Sequence, residues 1–203
     1  NIHHNTVTGC TSPNANSTVS YMEIGHGGPT TNIYNNVITN NQYGSTSKSS
    51  NAEVHYLYVG YYPTTLGVAN IYNNQVTNNV RFQSPSGSGG TTRYMRFGPQ
   101  CLTLNVYGNV CDNNISTTTG TVYGIDCPSL TPVTKNIYNN SFTNLYQAKG
   151  PIYCFSVNDG YNWNIYRNKI QDIEGTGTNS IITGLYLGFT GGSGNVFVSN
   201  NMI

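Results

Sequence analysis

Side chains of the kind that catalyse hydrolysis or elimination occur in a short segment that recurs along the chain: Tyr, two apolar residues separated by one variable residue, and Gly. The variable residue is Glu23, Tyr58 and Arg96 in three copies, and Asp126 lies near the equivalent position of the next. Glycoside hydrolases use two carboxylates about 5 to 9.5 Å apart, whereas polysaccharide lyases use a basic residue, usually with acidic calcium ligands. If the copies stack like β-strands, Glu23 and Arg96 are roughly 9.6 Å apart. One hypothesis is therefore a carbohydrate-active site with Glu23, Arg96 and Asp126 as catalytic residues.

The number of carboxylates argues against this hypothesis. The variable positions of the recurring segment provide one acid and one base, with no second carboxylate in register beside Glu23. Asp172 and Glu174 are the only close acidic pair, but Asp172 occupies a position at which other copies of the repeat carry Asn, which is typical of a turn. We therefore expect a solvated face and no enzymatic activity, with polysaccharide lyase or hydrolase activity as the alternative.

Histidine and cysteine do not show the spacing of a metal site. His3 and His4 are adjacent, so a strand would point them to opposite faces. The five cysteines are an odd number without a CxxC pair. Cys111 and Cys154 fall on apolar positions, where cysteine acts as a small hydrophobic residue. Calcium-binding GGxGxD repeats are absent, and we expect neither a metal ion nor a cofactor.

The composition excludes two classes of partner. Only 7% of the 203 residues are charged and the net charge is +1, whereas the chain contains 31 Asn. A charged fraction of about 25% is usual, and nucleic-acid binding requires clustered basic residues that are missing here. No run of 18 apolar residues exists, so we expect no membrane span.

One phrase, typified by Asn-Ile-Tyr-Asn-Asn, recurs seven times with a period near 33 residues. Its common asparagines are Asn5, Asn36, Asn74, Asn109, Asn140, Asn168 and Asn201. Each has an apolar residue three positions before it and another two positions after it. Asparagine tolerates the left-handed conformation of a tight bend, so these residues are predicted to join two strands. Stacked bends would let their amides form a hydrogen-bonded ladder.

The repeat predicts an all-β fold, a right-handed parallel β-helix with about six coils and three short strands per coil. The third strand of each coil is the Tyr-containing segment described above. A helical solenoid would need an apolar period of 3.6 residues, which does not appear, and a propeller needs a longer repeat with four strands. We expect residues 1–203 to form a single β-helix segment, as a window on a longer chain or one subunit of an end-to-end filament, because β-helix ends without caps invite association.

Aromatic residues follow the first apolar position of most copies, on the side that strand alternation turns outward. The tyrosines of this column are Tyr34, Tyr72, Tyr107, Tyr138 and Tyr166. Stacked tyrosines one coil apart support each other, and they suit either carbohydrate binding or packing against a neighbour. The sequence leaves structural self-packing and a binding surface both open.

The repeated Asn-Ile-Tyr-Asn-Asn phrase and its Tyr-containing partner segments resemble right-handed parallel β-helix repeat proteins, most of all the Asn-rich proteins that bacteria of the Bacteroidota type export to their surface. The resemblance covers the whole chain and implies an extracellular or cell-surface location. Since β-helices host many functions, we expect a structural or adhesive repeat protein that is able to form filaments. Its expected partners are further copies or other surface proteins, and carbohydrate is a further candidate. The alternative is a carbohydrate-active enzyme or a phage tailspike-type carbohydrate binder.

Overall fold

The polypeptide winds into three parallel β-sheets that enclose an apolar core. The computed structural model describes residues 1–12, 18–25, 29–44, 52–60, 67–82, 89–98, 101–128, 134–188 and 194–203. Within these ranges there are 22 strands and no helix. Each strand pairs in parallel with the equivalent strands of the coils before and after it, so the predicted parallel β-helix is confirmed.

The strands are numbered in chain order and fall into sheets of seven, nine and six strands. The first sheet contains β1 (Ile2–His3), β5 (Thr30–Tyr34), β9 (Val68–Tyr72), β13 (Thr103–Tyr107), β16 (Thr134–Tyr138), β19 (Asn162–Tyr166) and β22 (Asn195–Ser199). The second contains β2 (Thr6–Thr8), β3 (Thr11–Ser12), β6 (Val37–Thr39), β7 (Gln42–Tyr43), β10 (Gln75–Thr77), β11 (Val80–Arg81), β14 (Val110–Ser116), β17 (Ser141–Gln147) and β20 (Lys169–Gly175). The third contains β4 (Val19–Ile24), β8 (Val54–Val59), β12 (Thr92–Phe97), β15 (Val122–Cys127), β18 (Ile152–Asn158) and β21 (Ile182–Gly188).

The bend between the first and second sheets is shared by two adjacent residues. The ladder asparagine was expected to adopt the left-handed conformation, but the residue before it does so. Asn35, for example, has φ of 54° while Asn36 is completely buried. The other left-handed residues at this bend are His4, Asn73, Gly108, Asn139, Arg167 and Asn200.

The seven asparagines of this bend form the predicted ladder, and the five from Asn36 to Asn168 are buried. Nδ2 of Asn140 donates to Oδ1 of Asn168 at 3.0 Å and to the carbonyl oxygen of Val106 at 2.9 Å. Its Oδ1 accepts the backbone N–H and the Nδ2 of Asn109, at 3.1 and 3.0 Å. The same side-chain bond links each consecutive pair from Asn5 to Asn201. Each amide from Asn36 to Asn168 thus connects its own coil with the one before and the one after.

A second, shorter ladder lies at a bend inside the second sheet. Asn41, Asn79 and Asn114 are hydrogen-bonded in series, and the next coil replaces the amide with Leu145. The residue before each ladder position is again left-handed, and Asp172 belongs to this set with φ of 56°. The interpretation of Asp172 as a turn residue is therefore confirmed.

The strands of the third sheet do not alternate strictly. Leu57 and Val59 point inward as the sequence pattern predicts, but Tyr56, beside Leu57, is also completely buried. The pairing between coils skips this position, so the strand bends there and turns two consecutive side chains into the core. Tyr21, Tyr56 and Tyr94 consequently stack inside the solenoid, with ring centroids 5.0 and 5.2 Å apart.

Gly124 ends this internal stack because it occupies the equivalent position of the next coil. The ring of Phe142 fills the space, and a Cβ on Gly124 would lie 2.7 Å from this ring and 2.4 Å from the carbonyl oxygen of Cys154. The core is therefore not a uniform repeat, since a large side chain from the second sheet compensates for a missing one in the third.

We expect Asn140→Ala to destabilise the protein by about 3 kcal/mol, because it leaves several buried groups without their partner. Asn158→Ala is the matched control, since the Asn158 amide is only partly buried and donates to the hydroxyl of Ser156. Urea unfolding measured by circular dichroism compares the two variants. Equal midpoints would contradict the structural importance of the ladder.

We expect Gly124→Ala to cost about 1–3 kcal/mol, because the added methyl group overpacks the core against Phe142 and the backbone. Gly98→Ala serves as the control, since a Cβ on Gly98 would approach no closer than 4.0 Å to a heavy atom. Thermal unfolding midpoints of both variants test this. A similar loss in both would show that the effect comes from glycine itself and not from packing.

Candidate functional site

The predicted catalytic row lies on the outward face of the third sheet. Glu23 is in register with Tyr58, Tyr58 with Arg96, and Arg96 with Asp126, so the row runs through four successive coils. Its members differ in accessibility. Glu23 is exposed, whereas Asp126 is only 2% exposed. The structure therefore aligns these residues on one face but does not present them equally to solvent.

Arg93 occupies the neighbouring outward row and joins two carboxylates. Its Nε donates to Oδ2 of Asp126 at 2.7 Å, and its NH1 contacts Oε1 of Glu53. Arg93, Arg96, Glu53, His55 and Asp126 together form a cluster that we call the third-sheet patch.

Arg96 completes the third-sheet patch from the other row. Its NH1 lies 3.4 Å from Oε1 of Glu53 and 3.3 Å from Nε2 of His55. Each arginine also covers an aromatic ring, with Arg96 5.3 Å from the ring centroid of Tyr58 and Arg93 4.9 Å from that of Tyr123. Stacking and ion pairing together fix both guanidinium groups.

His55 is held neutral within the third-sheet patch. Burial lowers the pKa of His55 to about 4, with a further contribution from the positive charge of Arg96 and smaller opposing effects of Glu23 and Asp126. Oε1 of Glu53 lies 2.9 Å from its Nε2. We therefore interpret this contact as a hydrogen bond that a neutral imidazole donates to Glu53.

The chemistry available to the third-sheet patch is limited by its internal pairing. A hydrolase needs one carboxyl group as a proton donor and another free to act on water or the sugar. Glu53 and Asp126 instead share Arg93 as an ion-pair partner. Arg96, the candidate base, contacts Glu53 and His55. In this geometry the charged side chains of the patch are paired with one another rather than arranged as an open acid–base pair.

Sequence reasoning did not identify Glu53 and Arg93 as part of this cluster. The bend at Tyr94 places Arg93 and Arg96, three positions apart, on the same outward face. Strict alternation would have put them on opposite faces. The recurring Tyr-containing segments could have suggested that the strands of Arg93 and Asp126 are neighbours, but not that these two side chains meet.

The tyrosine column lies on the outward face of the first sheet. The rings of Tyr34, Tyr72, Tyr107, Tyr138 and Tyr166 stack with successive centroids 4.8 to 5.0 Å apart and interplanar angles of 0° to 4°. His3 extends the stack at one end, 4.7 Å from Tyr34. Because the ring faces cover one another, the column presents ring edges and hydroxyl groups outward. A binding role for these tyrosines stays a prediction.

Lys135 is another basic group removed from solvent, on the inward side of the first sheet. Its ammonium group donates to the carbonyl oxygens of Cys127, at 3.4 Å, and of Asn158. It also lies 5.7 Å from the ring centroid of Trp163. Burial lowers its pKa to about 8. With no exposed surface, Lys135 serves to satisfy carbonyl groups where the third-sheet strands end.

No metal centre emerges in the part of the chain that the structure describes. No group of three His, Cys, Asp or Glu side chains there could hold a metal ion. All five cysteines are free thiols, and burial raises the pKa of Cys154 to about 12, so this thiol is not activated. Among the described residues, no helix has the length and apolar character needed to span a membrane.

The fold and surfaces define the chain as a parallel β-helix with buried asparagine ladders. Comparison with protein-family models, with curated proteins and with solved structures finds no match to the chain. The more specific resemblance to Asn-rich proteins exported by Bacteroidota-type bacteria therefore stays a prediction.

We expect the protein to lose stability as the pH falls from about 6.5 to 4. Below pH 6.5 the unfolded chain binds a proton at His55, whereas the folded protein does so only near pH 4. The linked loss is at most about 3–4 kcal/mol. Thermal midpoints at pH 7 and 4.5 measure it, and His55→Gln should show a smaller decrease. An equal decrease in the variant would contradict the role of His55.

Proposed function

We propose that this chain is a non-enzymatic, extracellular or cell-surface β-helix, a structural or adhesive repeat segment. The observation that carries the proposal is the asparagine ladder from Asn5 to Asn201, in which every coil is hydrogen-bonded through side chains to its neighbours. Such cross-linking adds to the backbone pairing of three sheets and resists separation of the coils. A rod of this kind suits a spacer or filament that has to keep its shape.

The direction of the ladder supports end-to-end association. Along the ladder each Nδ2 donates to Oδ1 in the coil that follows, so every coil offers an amide oxygen as acceptor toward one side and amide N–H groups as donors toward the other. These groups are complementary. A following coil of the same chain or a second copy would make the same hydrogen bonds that the internal coils make.

The third-sheet patch supports a non-enzymatic role through its pairing. The two carboxylates closest to the arginines are ion-paired, and Asp126 is buried. The location outside the cell is supported by the resemblance to exported Asn-rich β-helix proteins and by the scarcity of charged residues, 7% of the chain.

A carbohydrate-active enzyme or a tailspike-type carbohydrate binder is the second candidate, and one observation favours it. The third-sheet patch combines arginines, carboxylates and a histidine, beside Tyr58 and Tyr123, on a face that does not repeat from coil to coil. A rigid scaffold can hold individual polar side chains in place for recognition. Glu23, Arg96 and Asp126 would carry the chemistry in this case.

Negative-stain electron microscopy of the native protein tests the structural proposal. We expect thin rods or fibres of constant width, because stacked coils extend in one direction. Discrete, compact particles would favour an adhesin domain or an enzyme.

Incubation with acidic polysaccharides tests the enzymatic alternative. We expect neither unsaturated nor reducing ends to accumulate, because Arg96 and Asp126 are engaged with other protein groups. Products that appear with the unaltered protein and with Lys149→Ala, but disappear with Arg96→Ala, would overturn the non-enzymatic proposal.

A further inference from the structure

The outward face of the first sheet carries a third asparagine ladder, separate from the two buried ones. Nδ2 of Asn70 donates to Oδ1 of Asn32 at 2.8 Å, and Nδ2 of Asn105 donates to Oδ1 of Asn70 at 2.8 Å. The series continues through Asn136 and Asn164 at 2.7 Å. This ladder runs parallel to the tyrosine column, which lies two residues further along each strand.

We call the combined surface the Asn–Tyr face. It consists of Asn32, Tyr34, Asn70, Tyr72, Asn105, Tyr107, Asn136, Tyr138, Asn164 and Tyr166. All of these side chains are partly exposed. Each ladder bond uses one hydrogen of an amide group, so the second hydrogen is left for a partner, and the tyrosine hydroxyls lie at the rim of the stack. The face is therefore regular and able to form hydrogen bonds.

The Asn–Tyr face carries no formal charge. The one charged residue in strands β5, β9, β13, β16 and β19 is Lys135, and its side chain is buried on the opposite, inward side. Two such faces can approach without electrostatic repulsion. The third-sheet patch differs in this respect, since it carries charged arginines and carboxylates that are already paired with each other within the chain.

The spacing of the Asn–Tyr face selects its partner. Its rings repeat every 4.8 to 5.0 Å along the axis, and only a surface with the same repeat meets it coil by coil. A second copy of the chain has this repeat because its coils have the same spacing. Ladders of Asn and stacked aromatic side chains also stabilise packing between facing β-sheets. A sugar ring would need an exposed aromatic face, and the stacking covers these faces.

We propose that the Asn–Tyr face packs against the same face of a second copy of this chain, so that two solenoids lie side by side. This inference rests on the proposed structural function and names the partner that the function requires. The proposed association is lateral, perpendicular to the solenoid axis, and it does not depend on end-to-end contacts between solenoids.

The area of the Asn–Tyr face determines how strongly two copies are expected to associate. The five strands that carry the face, at about 4.8 Å each, give a length of about 24 Å, and five residues per strand give a width of about 16 Å. Each copy would contribute about 400 Å², compared with about 800 Å² per partner in a standard stable interface. The association of two segments of this length should therefore be weak and concentration-dependent, and longer arrays should associate more strongly.

Sedimentation of charge-swapped variants tests the inference. Tyr107 belongs to the fourth of the seven strands, so in a symmetric pair it lies near its own copy. The unaltered protein should shift from one chain toward two as its concentration rises. Tyr107→Glu and Tyr107→Lys should each associate at least about tenfold more weakly, because like charges would then face each other at a cost above about 1.4 kcal/mol. An equimolar mixture of the two variants should recover the association.

Thr77→Glu and Thr77→Lys are the matched controls, since Thr77 lies outward on the second sheet. They should associate like the unaltered protein, and circular dichroism should show that all four variants are folded. If Tyr107→Glu does not fold, Asn105→Asp and Asn105→Lys carry the same test on the adjacent ladder.

The outcomes separate this inference from the proposed function. A single-chain mass at all concentrations, or equal association of the Tyr107 and Thr77 variants, would overturn the side-by-side packing. Unpaired rods in electron micrographs together with that result would leave the structural function intact. Polysaccharide cleavage that depends on Arg96 would overturn the proposed function while the sedimentation result still decides the packing.

Discussion

The structure depends on hydrogen bonding at the bend between the first and second sheets. When a backbone turns sharply within a protein, some of its carbonyl groups point away from any strand partner, and burying them unpaired is costly. The side chain of Asn74 solves this by donating to the carbonyl oxygen of Ile33 and to Oδ1 of Asn109. Since the repeat supplies an asparagine at this position in every coil, the coils stack in one register. The sheets, the apolar core and the two outward faces all follow from that register.

Much of the fold could be predicted from the sequence, because every coil needs an asparagine at the bend between the first and second sheets. Seven copies of one phrase identify the coil length and the ladder. Apolar residues on both sides identify the inward positions of the strands. Which of two adjacent residues takes the left-handed conformation was less evident. Asn35 and Asn36 are identical in chemistry, and only their places in three dimensions distinguish the turn residue from the ladder residue. Arg167 and His4 show that the turn position accepts other side chains.

The third-sheet patch was only partly predictable for a physical reason. Aligning Glu23, Arg96 and Asp126 required only the recurring segment, and the structure places them in one row. The contact of Arg93 with Glu53 depends on the bend within the third-sheet strands, where two consecutive side chains enter the core. No pattern of polar and apolar residues marks that bend, because Tyr56 and Tyr94 suit both the core and the surface. The pairing of residues across coils of 28 to 38 residues also depends on insertions that periodicity does not locate.

The ladder bonds have a consequence for how the chain acquires its structure. Each joins residues 28 to 38 positions apart, and none spans the molecule. A coil therefore needs only its immediate neighbours to become ordered, and the growth of the solenoid is a zipper-like process that can begin anywhere. During synthesis, the portion that emerges first can fold before the remainder arrives. Growth on an already ordered coil would then avoid repeated nucleation, and each ordered coil provides the template for the next.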